Sequence, residues 1–334
     1  MNSISDLASL MMANRRQSAL RLEANTSGQA ATTGIAQDIS KHLKGSTMPL
    51  SLFERNSSLL NQQIPNPTEA SLIFTTAQTT LTSISDGISE ISNDLALSSQ
   101  FESIDDFNRL AEQASTKFIT IVNSINTSVA SRFLFSGASV DTRPLPDGKE
   151  LLNALEATIT GITDAASLSN ALDVWFDDPG GQYQIIHYAG STSSNLSVPI
   201  DNEQTATLAL NANSDVVRTT LKALAKTALS SKLTIADDMQ QFRLLATDSF
   251  TDLVEVNDQV TRQQGAMGLI EENIQDMQNG ASSEITRLEQ QRQDLIGIEQ
   301  FSQAARFEAL LQQLDVTYRI AARKSETSLV AYLR

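Results

Sequence analysis

The chain has 334 residues, with 24 Lys+Arg against 39 Asp+Glu and a formal net charge of −15. That acid surplus argues against non-specific nucleic-acid binding, which needs clustered cations to neutralise phosphates, and against adhesion to an anionic membrane surface. Cysteine is absent and there are 2 histidines, His42 and His187, so a disulfide framework, a thiolate metal site, a Cys nucleophile and a multi-His site are excluded. Aromatic residues make up 5%, with 7 Pro and 14 Gly. This is poor material for a sheet-rich enzyme and good material for long helices.

No segment approaches the roughly 20 apolar residues that span a bilayer. The apolar patch Leu7 to Ala13 is preceded by Asp6 and followed by Arg15 and Arg16, the reverse of a secretory leader. Residues 3–24 read as a helix on the steps Ile4, Leu7 and Met11. Residues 25–48 are rich in Gly, Thr, Ser and Ala and read as a loop followed by a weak helix over about 33–43. Pro49 opens a short helical stretch, closed by Ile64-Pro65-Asn66-Pro67.

From Ala70 the pattern becomes regular. Ala70, Phe74, Ala77, Leu81, Ile84, Ile88, Ile91 and Leu95 alternate steps of four and three, a heptad seam. A second seam runs Ile104, Phe107, Ala111, Ala114, Phe118, Ile121 and Ile125. Asp105 and Asp106 in its first turn suit the positive end of the helix dipole. The spacing predicts that this helix ends at Arg132-Phe133-Leu134-Phe135-Ser136-Gly137.

Residues 138–213 change character. Pro144, Pro146 and Asp147-Gly148 mark a turn. Helical pieces are expected at about 149–160 and 166–175. Asp177-Asp178-Pro179-Gly180-Gly181 makes a strong turn, and Gln182–Tyr188, Leu196–Ile200 and Thr205–Leu210 are strand candidates. Helices return at Ser214, with Val216, Leu221, Leu224 and Ala228 on one face. The longest pattern follows: Met239, Phe242, Ala246, Leu253, Val256, Val260, Met267, Ile270, Ile274, Met277 and Ala281 share one register, with Ser249 and Gln263 as polar exceptions. It continues through Leu288, Leu295 and Ile298, with Asn279-Gly280 as a possible break. It then slips by about two residues to Ala304, Phe307, Leu311, Leu314, Tyr318 and Ala321.

The expected fold class is mainly α: a long-helix, coiled-coil-like bundle formed by the N- and C-terminal regions, with a small α+β insertion domain in the middle. Its parts are an N-terminal assembly helix and connecting spoke (1–45), two core-bundle parts (46–137 and 214–285), the insertion (138–213) and a C-terminal assembly helix (286–334). The three long seams can bury one another. The two terminal stripes have no evident partner in the chain, so they are assigned to burial against other chains. The candidate assembly residues are Ile4, Leu7, Met11, Phe307, Leu311, Leu314, Tyr318, Leu329, Tyr332 and Leu333.

The chemistry-bearing residues are sparse. His42 and His187 are isolated. Asp177-Asp178 lacks the repeated acid spacing of a calcium loop. Gly137-Ala138-Ser139 is not a nucleophile elbow, because the second glycine is missing. Glu271-Glu272 and Glu289–Arg292 read as a solvated face, and Phe133 and Phe135 as core plugs. No nucleophile, base and orienting group form a recognisable set, so no enzyme, cofactor or metal is expected.

Four stretches resemble the flagellin superfamily, in its hook–filament junction branch, hook-associated protein 3. Ala77-Gln78-Thr79-Thr80-Leu81 with Ile84, Ile88 and Leu95 resembles the first core helix of flagellins. Arg132-Phe133-Leu134-Phe135-Ser136-Gly137 is similar to the aromatic-Leu-Phe-Ser-Gly turn of the junction branch, with Phe133, Phe135 and Gly137 as its family-like core. Tyr188-Ala189-Gly190-Ser191 resembles its outer-domain β elements, and Ser325–Arg334 its tail. Thr26-Ser27-Gly28-Gln29 fits the family's Ser-Gly element, but the Pro-Ser-Asp-Asp-Pro-like run after it is replaced by Ala30–Ser46.

The resemblance implies a structural subunit of the bacterial flagellum, an adaptor at the hook–filament junction whose terminal helices gain order on assembly. The alternative is a flagellin that forms the filament itself. Implied partners are further copies of the chain in a ring, flagellin, the preceding hook-associated protein and a flagellar export chaperone holding the C-terminal helix. Neither nucleic acid nor membrane insertion is expected. The implied location is the flagellum outside the cell, reached by type III export without a cleaved signal peptide.

Overall fold

A computed structural model describes the backbone of residues 3–201, 204–233 and 239–332, with side chains other than those at 3–7, 9–10, 63, 65 and 324–332. The chain opens with α1 (Ser3–Thr33), α2 (Ile39–His42) and α3 (Met48–Gln63). It continues with α4 (Pro65–Ala96), α5 (Ile104–Ile125) and the hairpin β1 (Ser128–Val129) and β2 (Arg132–Phe133). Next come α6 (Gly148–Thr158), α7 (Ala165–Asp177), a second antiparallel pair of β3 (Leu196–Pro199) and β4 (Thr205–Leu208), and α8 (Asp215–Leu229). It closes with α9 (Met239–Ile296) and α10 (Gln300–Tyr332). The fold is mainly α, with a small α+β insertion. It forms two compact units: residues 63–280, and residues 1–62 together with 281–334. Among the described residues no helix is long and apolar enough to cross a membrane.

In the 63–280 unit the predicted seams are the core. Every seam residue from Ala70 to Leu95 on α4 and from Phe107 to Ile125 on α5 is buried, as are Phe242, Ala246, Leu253, Val256, Val260, Met267 and Ile274 on α9. Helices α4 and α9 run antiparallel. The Thr75 hydroxyl donates to Glu271 at 3.0 Å, and the Gln278 amide donates to the Pro67 carbonyl at 3.1 Å. Helix α5 starts on Ser103, whose N–H and hydroxyl donate to the Asp106 carboxylate at 3.2 and 2.9 Å. Those bonds hold Asp106 below its usual carboxylate range. Asp147 and Asp164 are themselves the N-caps of α6 and α7, accepting from the Lys149 and Ser167 N–H groups at 3.0 and 2.8 Å.

Three expectations for this unit need correction. Helix α5 ends at Ile125, seven residues before Arg132, because the chain turns into the β1–β2 hairpin. The two-residue loop of that hairpin, Ala130-Ser131, has both residues at positive φ, 49° and 64°, as a turn matching the strand twist requires. Gln182–Tyr188 is not a strand: Tyr183–His187 is one π-helical turn, with Tyr183 buried under Trp175 and Phe176. Asn279-Gly280 does not interrupt α9, which runs unbroken to Ile296.

The insertion elements share one hydrophobic core with α4, α5 and α9. A charged ladder adds to this packing. On α8, Lys222 pairs with Asp173 and Asp177 of α7 at 2.8 and 2.5 Å, and Lys226 pairs with Asp248 and Asp252 of α9 at 2.8 and 2.7 Å. Burial pulls the Lys226 ammonium down, but the hydrogen bonds it donates to both carboxylates outweigh this and its pKa is raised. Burial pushes the Asp248 carboxyl up, and the bonds from Lys226 and the Ser169 hydroxyl more than reverse this, so it is held low.

Removing the cation with Lys226→Met leaves two partly exposed carboxylates facing each other, at a cost of about 1–3 kcal/mol after allowing for solvent screening. The Asp248 part of this stability is present above its ordinary value of 3.8 and lost as pH falls through its depressed folded pKa. The Lys226 part is present below its ordinary 10.5 and lost as pH rises through its raised folded pKa. Urea unfolding followed by the fluorescence of Trp175 should therefore show a wild-type advantage that is flat near neutrality and shrinks at both extremes.

Candidate assembly surface

The unit formed by residues 1–62 and 281–334 is built on the two terminal helices. The expectation of a loop after residue 24 fails here. Helix α1 continues to Thr33, and Gly28 lies inside it. A Cβ at Gly28 would stand 3.1 Å from the Phe307 ring, so the missing side chain lets α10 approach closely. The helix stops at Gly34, whose φ of +68° is the left-handed conformation of a helix C-terminus, and its N–H returns to the Ala30 carbonyl at 2.9 Å.

Two backbone bonds then join distant parts of the chain. The Ala36 N–H donates to the Ile296 carbonyl and the Ile298 N–H donates to the Gly34 carbonyl, both at 2.9 Å. Ile35 and Gly297 form the β-bridge between them. This is where α9 ends and α10 begins, the position of the register slip in the sequence. Glu299 opens α10 by accepting from the Phe301 and Ser302 N–H groups at 3.1 and 2.6 Å, and the Ser302 bonds hold its carboxyl low. Below the bridge, Leu50 and Phe53 of α3 pack with Leu288 and Ile296 of α9.

From that bridge α1 and α10 run antiparallel along one seam. Gln17, Leu20, Ala24, Ser27 and Ala31 face Gln303, Phe307, Leu310, Leu314 and Thr317, with Ala24, Ser27, Leu310 and Leu314 buried and the others half-buried. Both series step by three and four residues, as a heptad seam does. Beside it the Arg21 guanidinium donates to the Tyr318 hydroxyl at 2.7 Å and lies 5.4 Å from that ring's centre. Glu23 pairs with Arg306.

The terminal stripes therefore do find a partner within the chain. The expectation that they lacked one gives way, because small residues (Ala24, Ser27, Gly28, Ala31) line the α1 side and read as polar sequence. Of the candidate assembly residues, Leu314 is buried and Phe307 half-buried in this seam, while Met11, Leu311 and Tyr318 are 60%, 46% and 41% exposed. The side chains of Ile4, Leu7, Leu329 and Tyr332, and all of Leu333, lie outside the described residues.

A second stripe, not foreseen from the sequence, lies on the far side of α10. Phe301, Ala305, Val316 and Ile320 fall within one face turned away from the seam, and Phe301, Val316 and Ile320 are 81%, 54% and 62% exposed. On α1, Met11, Met12 and Leu22 are also exposed. Exposed apolar residues grouped this way mark interaction surfaces.

Phe133, Phe135 and Gly137 lie in the other unit and form a junction between its parts. Phe135 is buried and Phe133 half-buried. The Ser191 N–H donates to the Ser136 carbonyl at 2.8 Å, the Ala138 N–H to the Ser194 carbonyl at 3.0 Å, and the Ala212 N–H to the Phe135 carbonyl at 2.8 Å. The Phe-Leu-Phe-Ser-Gly stretch and the Tyr188–Ser191 stretch, separate in sequence, are thus packed backbone to backbone. Burial pushes the Tyr188 phenol up to about 12, and its hydroxyl donates to the Ser191 carbonyl at 2.8 Å. His187 stacks on Trp175, with burial lowering its pKa. The Asp177 carboxylate is taken by Lys222. Among the described residues no group of three His, Asp or Glu side chains could hold a metal.

The fold of this chain is similar to those of two solved flagellar hook-associated proteins. A flagellar hook-associated protein from Vibrio parahaemolyticus superposes with a TM-score of 0.51 at 15% identity, covering 75% of this chain and 96% of that one. FlgL from Bacillus cereus superposes with a TM-score of 0.50 at 11% identity, covering 73% and 98%. No protein-family model and no curated protein sequence matches the chain.

Gly137 separates two costs that a glycine can hide. Its φ is +63°, and a Cβ there would stand 2.6 Å from the carbonyl oxygens of Ser191 and Ser194. Gly161 has a φ of +87° with nothing within 4 Å. Gly161→Ala should cost about 1 kcal/mol, the left-handed strain alone. Gly137→Ala must also displace backbone and should cost more than about 4 kcal/mol. Equal shifts of the Trp175 unfolding midpoint would contradict this assignment.

Proposed function

We propose that the chain is a structural subunit of the bacterial flagellum that acts as an adaptor at the hook–filament junction. The observation that carries this reading is the second apolar face of the terminal helix pair. One stripe of α10 is satisfied by α1, and the other, with Phe301, Val316 and Ile320, faces water. The shared fold with FlgL supports the same reading. In it the helix pair is already formed in the single chain, and assembly buries its outer face against neighbouring subunits.

The magnitudes fit a contact that needs several neighbours. With 81%, 54% and 62% of their surface exposed, these three side chains contribute roughly 3–6 kcal/mol gross on burial, while association costs on the order of 4–15 kcal/mol in lost freedom. One neighbour is marginal. A growing tip that presents several at once is sufficient, so the exported chain associates weakly on its own and firmly at the tip. Its partners in this scheme are further copies of itself in a ring, the preceding hook-associated protein below and flagellin above. An export chaperone covers the C-terminal helix until delivery outside the cell. The role requires no cofactor and no catalysis.

The double variant Val316→Asp/Ile320→Asp places charge on the outer face and leaves the seam intact. It should keep the wild-type helical signal and lose incorporation onto isolated hook ends by more than about tenfold, each buried charge costing at least 1.4 kcal/mol. Full incorporation by this variant would contradict the reading.

A further inference from the structure

Charge is divided unevenly along the chain. Residues 1–62 and 281–334 hold 13 Lys+Arg against 11 Asp+Glu, a formal +2, whereas residues 63–280 hold 11 against 28, a formal −17. In the terminal unit, cations cluster at the end of the helix pair far from the Gly34–Ile298 bridge. Arg15 and Arg16 on α1 are exposed there, with Arg319 of α10, which pairs with Asp315 at 2.9 Å, among the exposed Met11, Met12, Val316 and Ile320. The antiparallel pairing that sets Arg21 against Tyr318 brings these segments to the same end.

The acidic unit presents a complementary face. On α9, Val254, Asp258, Leu269, Glu272 and Asp276 share one side of the helix, opposite the buried Leu253, Val260, Met267 and Ile274, and all five are exposed. Gly265 lies on the same side, with nothing within 4 Å of where a Cβ would be, leaving room for a side chain from outside. Between Leu244 and Gly280 there are 7 acidic residues against Arg262; Asp248 and Asp252 are paired with Lys226 and Glu271 accepts from Thr75, which leaves Asp258, Glu272 and Asp276 as the acids of this face. Asp276 follows Glu272 by one helical turn, a like-charge pair that destabilises an isolated helix and that an incoming cation relieves.

One surface is apolar and basic, and the other is apolar and acidic. We propose that this outer face of α9 receives the basic end of the α1–α10 pair from a second copy of the chain. The inference rests on reading the chain as an assembling subunit, and names the surface on which one copy receives the next. The two surfaces differ, so a contact that uses one surface of each copy is heterologous and leaves the other pair of surfaces open to further copies. Opposite charge also orients the encounter and weakens it as salt rises, whereas docking by apolar contact alone does not weaken with salt.

The test uses the purified full-length chain, with sedimentation velocity at low and high ionic strength. Wild type should associate as concentration rises, less so in high salt. Arg15→Glu/Arg16→Glu and Asp258→Lys/Glu272→Lys should each weaken association by about tenfold or more. The chain carrying all four reversals should recover to near wild type, because the charges are exchanged. Circular dichroism and Trp175 fluorescence check that every variant is folded. A wild-type chain that stays monomeric, double variants that associate normally, or a fourfold variant that does not recover would each overturn the proposal. Hook ends are absent from this test. Failed recovery with intact hook-end incorporation sinks only the α9 docking face, and recovery without incorporation sinks the junction role.

Discussion

Two backbone hydrogen bonds, Ala36 to Ile296 and Ile298 to Gly34, hold the ends of the chain in one place. They close a loop of more than two hundred and fifty residues, which carries an entropic cost that the small cluster of Leu50, Phe53, Leu288 and Ile296 helps to offset. Everything about the terminal helices follows from that point. It fixes where α1 stops and α10 starts, so it fixes the register in which they run back along each other. The register decides that Leu310 and Leu314 are buried and that Val316 and Ile320 are not. A slip of one or two residues would exchange the covered face for the open one.

The 63–280 unit solves a different problem. Its seams are satisfied by one another and by the insertion, which shares their core. Lys222 and Lys226 link α8 to α7 and α9 through paired carboxylates. Such pairs add little net stability over apolar packing, and they penalise alternative registers that would leave a charge uncovered. The Phe135–Gly137 stretch does the same with backbone, since Gly137 and Gly190 allow two chain segments to come within carbonyl contact. The seams of one unit are covered within it, and the helix pair of the other keeps an open apolar face. That division suits a subunit whose ends do the assembling.

The long seams were legible because a repeat of three and four residues survives any reading frame: the apolar seam residues from Ala70 to Leu95, from Phe107 to Ile125 and, except for the half-buried Ile270, from Phe242 to Ile274 are buried as their spacing predicts. The break between α9 and α10 was visible as a slipped register. What was hidden has physical reasons. Ala24, Ser27, Gly28 and Ala31 form a close-packed helix face without large apolar side chains, so a buried stripe looked like a loop. Helix α10 carries apolar residues on two opposite sides, and their periodicities overlap. The seam was therefore placed on Leu311 and Tyr318, which lie at its flank, instead of on Leu310 and Thr317. Gln182–Tyr188 has strand composition but is held as a π-helical turn by the aromatic cluster around Trp175.

In the proposed role a pre-formed terminal helix pair enters the assembly with its outer face bare. Hydroxyl-radical footprinting of the free chain and of the chain incorporated at hook ends tests it most directly. Oxidation of Met11, Met12, Phe301, Val316 and Ile320 should be high in the free chain and fall sharply on incorporation, while Leu310 and Leu314 stay protected in both. Unchanged labelling of the outer face, or strong labelling of Leu310 and Leu314 in the free chain, would contradict it.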